Sequence, residues 1–169
     1  MKTIVKSIIY KLFTLIYKQY TPSGQSIKEL LLMAFVQKII GINRSVPWPV
    51  HYTSFVKGHE NIHSNTEIVG KSIKNYIDGL NGIILEENFW LGPNVSIISQ
   101  NHNENNYKEY NKAKAIIIHK NCLLLANCVI LPEVELGEHT IRAAGAVVIK
   151  AFLVGNQLLG CNPATLVST

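Results

Sequence analysis

A six-residue beat governs the stretch from Ile116 to Val148. Apolar residues fall at Ile118, Leu124, Ile130, Leu136 and Val148, with Arg142 the one member out of character. Four residues after each beat stands something small or β-branched: Cys122, Cys128, Val134, Thr140 and Ala146. Upstream the spacing recurs at Leu85, Leu91 and Ile97, with Phe89 and Val95 in the second slot. A period of six rules out a helix, because turns of about 100° per residue scatter such positions around the cylinder. It fits strand alternation, provided turns recur at fixed places. Gly92, Pro93, Asn94, Asn121, Asn127, Pro132 and Gly137 supply that turn chemistry. One hexad buries no face alone, so coils must stack and pair into a parallel β-solenoid with a dry interior.

The chain of 169 residues is one domain's worth. Its net charge of +5 is unevenly placed. Residues 1–40 hold six lysines and one acid, Glu29, while the remainder holds ten basic and ten acidic residues. The body is therefore neutral, and no nucleic-acid partner is expected. The three cysteines, Cys122, Cys128 and Cys161, fit core positions of a reduced, cytoplasmic protein. Neither C-x-x-C nor paired Cys/His spacing occurs, so no metal is expected.

In chain order, residues 1–45 read as an N-terminal helical segment and 46–169 as the solenoid domain. Met1 to Tyr20 has helical spacing at Ile4, Ile8, Leu12, Leu15 and Ile16. Lysines break every apolar run before it reaches the roughly 20 residues of a membrane span. A basic amphipathic helix can instead lie on an anionic membrane, so peripheral contact through residues 1–20 is one expectation and packing on the protein the other. Thr21 to Ser26 reads as a turn. A second helix runs from Ile27 to near Gly41, and its apolar centre, Leu30 to Val36, suggests burial. Val46-Pro47-Trp48-Pro49-Val50 cannot be helical and leads into the coils. Ile62 with Thr66, and Ile68 with Ser72, fit the beat; the register then slips from Ile73 to Gly82. Residues 100–114 are polar and off the beat, a protruding loop of the kind that lines a binding face. Beyond Val148 the beat fades into an irregular tail.

Two motifs tempt without context. His59-Glu60-Asn61-Ile62-His63 spells H-E-x-x-H, but zinc binding needs a helix to bring both imidazoles to one face, and Ile62 lies on the beat. Gly70-Lys71-Ser72 lacks the glycine five positions earlier that a phosphate loop requires. His102 stands where the coil gives way to the loop, beside Asn101, and imidazole suits proton transfer near neutral pH. Position alone leaves it equally a surface residue.

Residues 83–102 (IILEENFWLGPNVSIISQNH) and 115–150 resemble the hexapeptide-repeat acyltransferases, and Cys161-Asn162-Pro163-Ala164 resembles their closing G-N-P-A element. The similarity runs from near Trp48 to the end. It is greatest to the maltose/galactoside O-acetyltransferase branch and to acetyltransferases of cell-surface polysaccharides, which Pro47-Trp48-Pro49-Val50-His51 resembles. The resemblance implies a left-handed parallel β-helix, a homotrimer, and acetyl-CoA as co-substrate in the cleft between adjacent prisms. It places the catalytic base at His102, the acceptor-side Asn at Asn81, and a site aromatic at Trp90. It places donor contacts at Ala126, Ala144 and Lys150.

The implied reaction is acetyl transfer to a sugar hydroxyl in polysaccharide biosynthesis, by direct attack. N-acetylation of an amino sugar is the enzymatic alternative, and a catalytically weakened trimeric scaffold the non-enzymatic one. A zinc hydratase sharing this fold needs a close pair of histidines that His119 lacks. The chain departs from the family at Arg142, on an inward position; either that coil rearranges or the guanidinium escapes at an end. His119, Leu125 and Glu133 replace turn-compatible residues, and Ile149 and Thr165 replace residues that commonly meet CoA.

Overall fold

From Phe55 onward the chain climbs through three sheets, in fixed rotation between Tyr76 and Val148. In order the strands are β1 (Phe55–Lys57), β2 (Ile62–Ser64), β3 (Tyr76–Asp78), β4 (Ile83–Leu85), β5 (Trp90–Leu91), β6 (Ser96–Ile98) and β7 (Ile116–Ile118). They continue with β8 (Leu123–Leu124), β9 (Val129–Ile130), β10 (Glu135–Leu136), β11 (Ile141–Arg142), β12 (Val147–Val148), β13 (Leu158–Gly160) and β14 (Thr165–Ser168). The first sheet stacks β1-β3-β6-β9-β12, the second β2-β4-β7-β10 and the third β5-β8-β11-β13-β14. All pairings are parallel except β13 with β14, which closes the end of the third sheet. The structure, a computed structural model, describes residues 2–17, 26–64 and 69–169. The expected beats at Thr66 and Ile68, and all of the turn at 21–26 except Ser26, lie outside the described residues.

The beat is the inside of this parallel β-helix. Ile118, Leu124, Ile130, Leu136, Arg142 and Val148 are fully buried, as are Val134, Thr140 and Ala146 in the second slot. Leu91 alone among the beat residues is only partly covered. Register follows: Ile118 pairs with Leu136, eighteen residues or three hexads on. Leu85 pairs with Ile118, thirty-three residues on, so the fifteen-residue excess is the loop 100–114. Ile77 pairs with Ile97, twenty residues on. The slip read from Ile73 to Gly82 is thus a two-residue insertion, and Ile77 keeps its inward place. Ile77 and Leu85 stand eight apart instead of six, which puts the extra pair in the turn Gly79–Gly82.

Corners recur every six residues with positive φ at Asn121, Asn127, Glu133, His139 and Gly145. Asparagine tolerates this left-handed backbone, whereas Glu133 and His139 carry its steric cost. His119 and Leu125 adopt no such conformation, so of the three replaced turn positions only Glu133 is strained. Asn94 donates to Asn127 across coils (2.7 Å), and Asn88 to Asn121 (3.1 Å), tying corner to corner.

Arg142 neither rearranges its coil nor escapes. Its strand pairs in register with β8 and β13, and its side chain is fully buried under the Phe152 ring, 5.9 Å from the guanidinium carbon. None of its three nitrogens has a hydrogen-bond partner among the described residues. Burial lowers its pKa to about 10. Beyond Val148 the chain still makes one shortened coil, in which Phe152 bridges Leu136 and Leu159 pairs with Arg142, before β14 covers the edge.

Among the described residues two helices precede the coils: α1 (Lys2–Ile16) and α2 (Ile27–Ala34), the latter continuing as a π-helical turn over Phe35–Ile40. Ser26 and Glu29 form a capping box at the start of α2, and Gly41 ends the turn with φ 99°. Buried Gln37 clips this segment to the solenoid. Its Nε2 donates to the carbonyls of Asn43 (3.0 Å), Val46 (3.1 Å) and Trp48 (2.9 Å), while its Oε1 accepts from Tyr17 Oη and Val50 N. Val46, Trp48 and Val50 cap the open end of the core. The expected burial of Leu30 to Val36 holds only for Leu30 and Met33; Leu31, Leu32 and Phe35 face solvent. An all-apolar helix offers several faces, and only one meets a partner here. No helix among the described residues is long and apolar enough to cross a membrane.

Candidate active site

The corner between the first and second sheets gathers the irregularities of the fold. The turn at His59–Asn61, the insertion at Gly79–Gly82 and the loop 100–114 stack there on successive coils, and the turn that holds Lys150 lies two coils further on. The loop closes on itself through an antiparallel bridge between His102 and Tyr110. The Tyr110 ring lies 4.3 Å from the imidazole centre. His102 Nδ1 is 2.7 Å from the Tyr107 carbonyl oxygen. A carbonyl only accepts, so Nδ1 carries a proton, and in the neutral ring the lone pair falls to Nε2, on an exposed side chain. That is the tautomer a general base requires.

Asn81 and Asn101 belong to the same corner. Asn81 Nδ2 donates to the carbonyls of Ser99 (2.9 Å) and Asn111 (3.1 Å), bridging the insertion to the loop's return. Asn111 N donates to the Asn101 carbonyl at 2.9 Å, and Asn111 Nδ2 reaches the His102 carbonyl at 3.4 Å. With its amide spent on backbone, Asn81 holds the loop in place. Sequence reasoning missed Lys57, Asp78 and Tyr110. Lys57 Nζ pairs with the buried Asp78 carboxylate at 3.4 Å and sits 5.7 Å from the Tyr110 ring. Lys57 and Asp78 lie one coil apart at matched register, 21 residues on rather than a whole number of hexads, a spacing the beat does not reveal. Tyr110 gave no signal, since nothing in a polar loop says which residue folds back.

The remaining site residues divide. Lys150 occupies the same corner two coils beyond β6, roughly 10 Å along the axis at one strand spacing per coil. It is exposed, and its Nζ lies 5.8 Å from the Phe152 ring. Trp90, 70% exposed, stands on the outside of the third sheet. It begins an outward apolar ladder that pairs Trp90 with Leu123, Leu123 with Ile141, and Ile141 with Leu158. Ala126 and Ala144 occupy the corner between the third and first sheets on adjacent coils, joined by Gly145 N donating to the Ala126 carbonyl at 2.9 Å. Among the described residues neither alanine N–H donates a hydrogen bond, and the space beside Gly145 is open. The two corners bound opposite edges of the first sheet. At about 3.3 Å per residue, the six residues between them span up to roughly 20 Å. One chain therefore brings His102, Asn81 and Asn101 together, sets Lys150 on the same corner two coils away, and does not bring Trp90, Ala126 or Ala144 to them.

Other reactive groups are otherwise engaged. Burial pushes the Cys122 thiol up to about 11 and raises that of Cys128, so neither supplies a thiolate. His119 is gripped by Glu135 Oε1 at its Nε2 (2.9 Å) and Glu86 Oε1 at its Nδ1 (3.0 Å). The hydrogen bond to Glu135, then that to Glu86, raises its pKa against the opposing effect of burial. The H-E-x-x-H stretch is a 3-10 turn running into β2, with His59 edge-on to Trp48. No group of three or more His, Cys, Asp or Glu among the described residues is arranged to hold a metal.

No family model and no curated protein matches the sequence. Solved structures do match. A hexapeptide-repeat containing acetyltransferase from Vibrio cholerae O1 biovar eltor, complexed with acetyl coenzyme A, superposes with a TM-score of 0.55 at 18% identity, over 91% of this chain and 95% of that one. A galactoside acetyltransferase in complex with coenzyme A gives a TM-score of 0.56 at 16% identity, over 63% of each chain. At such identities the likeness speaks for the backbone alone, and what it shows is the fold: this chain is a parallel β-helix of the kind found in hexapeptide-repeat acetyltransferases.

Proposed function

We propose that the protein is an acetyl-CoA-dependent O-acetyltransferase acting on a saccharide hydroxyl, in polysaccharide biosynthesis, with His102 as the general base. The observation that carries this reading is the commitment of His102 Nδ1 to the Tyr107 carbonyl, which leaves Nε2 as an exposed acceptor. In this reading Nε2 takes the hydroxyl proton as the sugar oxygen attacks the thioester carbonyl. The C–O bond forms, the C–S bond breaks, and the electron pair leaves on sulfur. A thiol of pKa about 8.5 is a good leaving group, so no covalent enzyme intermediate is needed. Holding both substrates in one cleft supplies much of the rate.

The division of the site between two corners supports a homotrimer. One copy's His102 corner, with Asn81 and Asn101 holding the loop, would face another copy's Trp90, Ala126 and Ala144. The outward ladder from Trp90 to Leu158 supplies apolar surface for that contact, and the free amides of Ala126 and Ala144 suit the carbonyl oxygens of an extended pantetheine arm. Lys150 would meet its phosphates. The same geometry accepts an amine in place of the hydroxyl, so N-acetylation of an amino sugar remains the alternative. The thiols of Cys122 and Cys128 are buried, while that of Cys161, expected in the core, is exposed; three unpaired thiols suit a reducing cytoplasm. Contact of residues 1–20 with a membrane surface completes the reading.

The test is His102→Ala. Turnover, read as release of the CoA thiol with a saccharide acceptor, should fall about 100-fold or more. Donor affinity should stay nearly unchanged. An unchanged rate removes His102 from the mechanism.

A further inference from the structure

Both N-terminal helices carry two apolar faces, and the structure covers one. Tyr10 and Phe13 of α1, with Tyr17 just beyond its end, pack against Leu30 and Ala34 of α2. The opposite side of α1 presents Ile8, Leu12, Leu15 and Ile16, spaced i, i+4, i+7, i+8, a continuous stripe along the helix. All four are exposed, Leu15 to 80%. The second helix repeats the arrangement. Leu30, Met33 and Gln37 face inward, while Leu31, Leu32, Phe35, Ile39 and Ile40 face out, Ile39 to 71%. Single exposed leucines need no explanation, but contiguous stripes on two adjoining helices mark a surface that something covers.

Charge says what. All of the chain's excess charge lies in its first 40 residues. Lys11 and Lys28 are exposed beside the stripes, and exposed Arg44 follows the π-helical turn. A second copy of this face would bring like charges together. An anionic lipid surface offers the opposite charge to the basic residues and an acyl boundary to the stripes. The lengths agree, since the 15 residues of α1 reach roughly 22 Å, enough to lie in the interface and too short to cross.

We infer that α1, α2 and the Phe35–Ile40 turn form one docking platform for an anionic lipid bilayer, lying in its interface with both stripes immersed. The platform is larger than the contact of residues 1–20 alone, and it stands independently of the acetyl-transfer reading. The experiment is co-sedimentation of the full chain with phosphatidylcholine vesicles, with and without phosphatidylglycerol, at low and high salt. The expected result is recovery with the anionic vesicles only, weakened by salt. Leu15→Glu and Ile39→Glu should each weaken it about ten-fold or more, with the thermal midpoint unchanged because both side chains are exposed. Lys11→Glu gives the same reading without touching the stripes. Equal recovery with neutral vesicles, or none with either, overturns the proposal. So does the finding that Leu15→Glu or Ile39→Glu dissociates an oligomer while the unsubstituted chain ignores vesicles, which would assign the stripes to a second copy. An acetyl-CoA titration run beside it separates failure of docking from failure of catalysis.

Discussion

Isoleucine and leucine fill both the coils and the N-terminal helices, yet the two regions treat them oppositely. In the coils from Ile116 to Val148 every inward position is closed over by the coil before and the coil after. Among the described side chains of α1, α2 and the turn after them, Leu30 is buried, whereas Ile8, Leu12, Leu15, Ile16, Leu31, Leu32, Ile39 and Ile40 lie in solvent. The difference is one of partners. A coil's neighbours are the same chain one turn away, so its own repeat guarantees their arrival. A helix depends on whatever the fold places beside it, and here the fold places something on one side only.

Core truncation should give the largest contrast. Leu124→Ala, at a position with no exposure, should cost about 3 kcal/mol or more in urea unfolding, since a rigid coil relaxes little into the cavity. Leu15→Ala should stay within about 0.5 kcal/mol. Similar costs at both sites would erase the distinction between the regions.

Arg142 comes next, as the one charge on the inward beat between Ile116 and Val148. Its guanidinium is desolvated and has no hydrogen-bond partner among the described residues. Replacing a buried charge with a packed apolar chain is commonly neutral or stabilising by about 1–4 kcal/mol. Arg142→Met should therefore raise the thermal midpoint or leave it level. A clear fall would mean the guanidinium is satisfied by a group the chain does not supply.

The smallest effect belongs to the outside of the coils. His119 is held as an imidazolium by Glu135 and Glu86, so its pKa is higher folded than unfolded. Its contribution is full below the unfolded value of about 6.5 and is lost as pH rises through the folded one. The midpoint of the unsubstituted protein should fall relative to His119→Gln across that window, by the equivalent of under about 1 kcal/mol because the carboxylates are partly exposed. A constant difference across the window would mean the two ion pairs contribute nothing.

Much of the solenoid was legible because its signal is local and repeated. A period of six, with Asn, Gly or Pro at the corners, admits few alternatives, and the loop 100–114 showed itself as a gap of fifteen in that count. The slip before Gly82 was legible as a fault, but its size needed the pairing of Ile77 with Ile97. What the helices pack against left no trace in their own spacing, since an apolar face reads the same whether buried or bare. At the site, His102 stood out by position and Asn81 by resemblance. The pair Lys57–Asp78 and the return of Tyr110 onto His102 arise from long-range folding that a single sequence does not mark.

Whether this solenoid binds acetyl-CoA for transfer is answered by calorimetric titration of acetyl-CoA into the protein. Binding in the micromolar to sub-millimolar range with about one site per chain is the expected result. No binding at millimolar acetyl-CoA would contradict it, and would leave a scaffold on which His102 has nothing to deprotonate for.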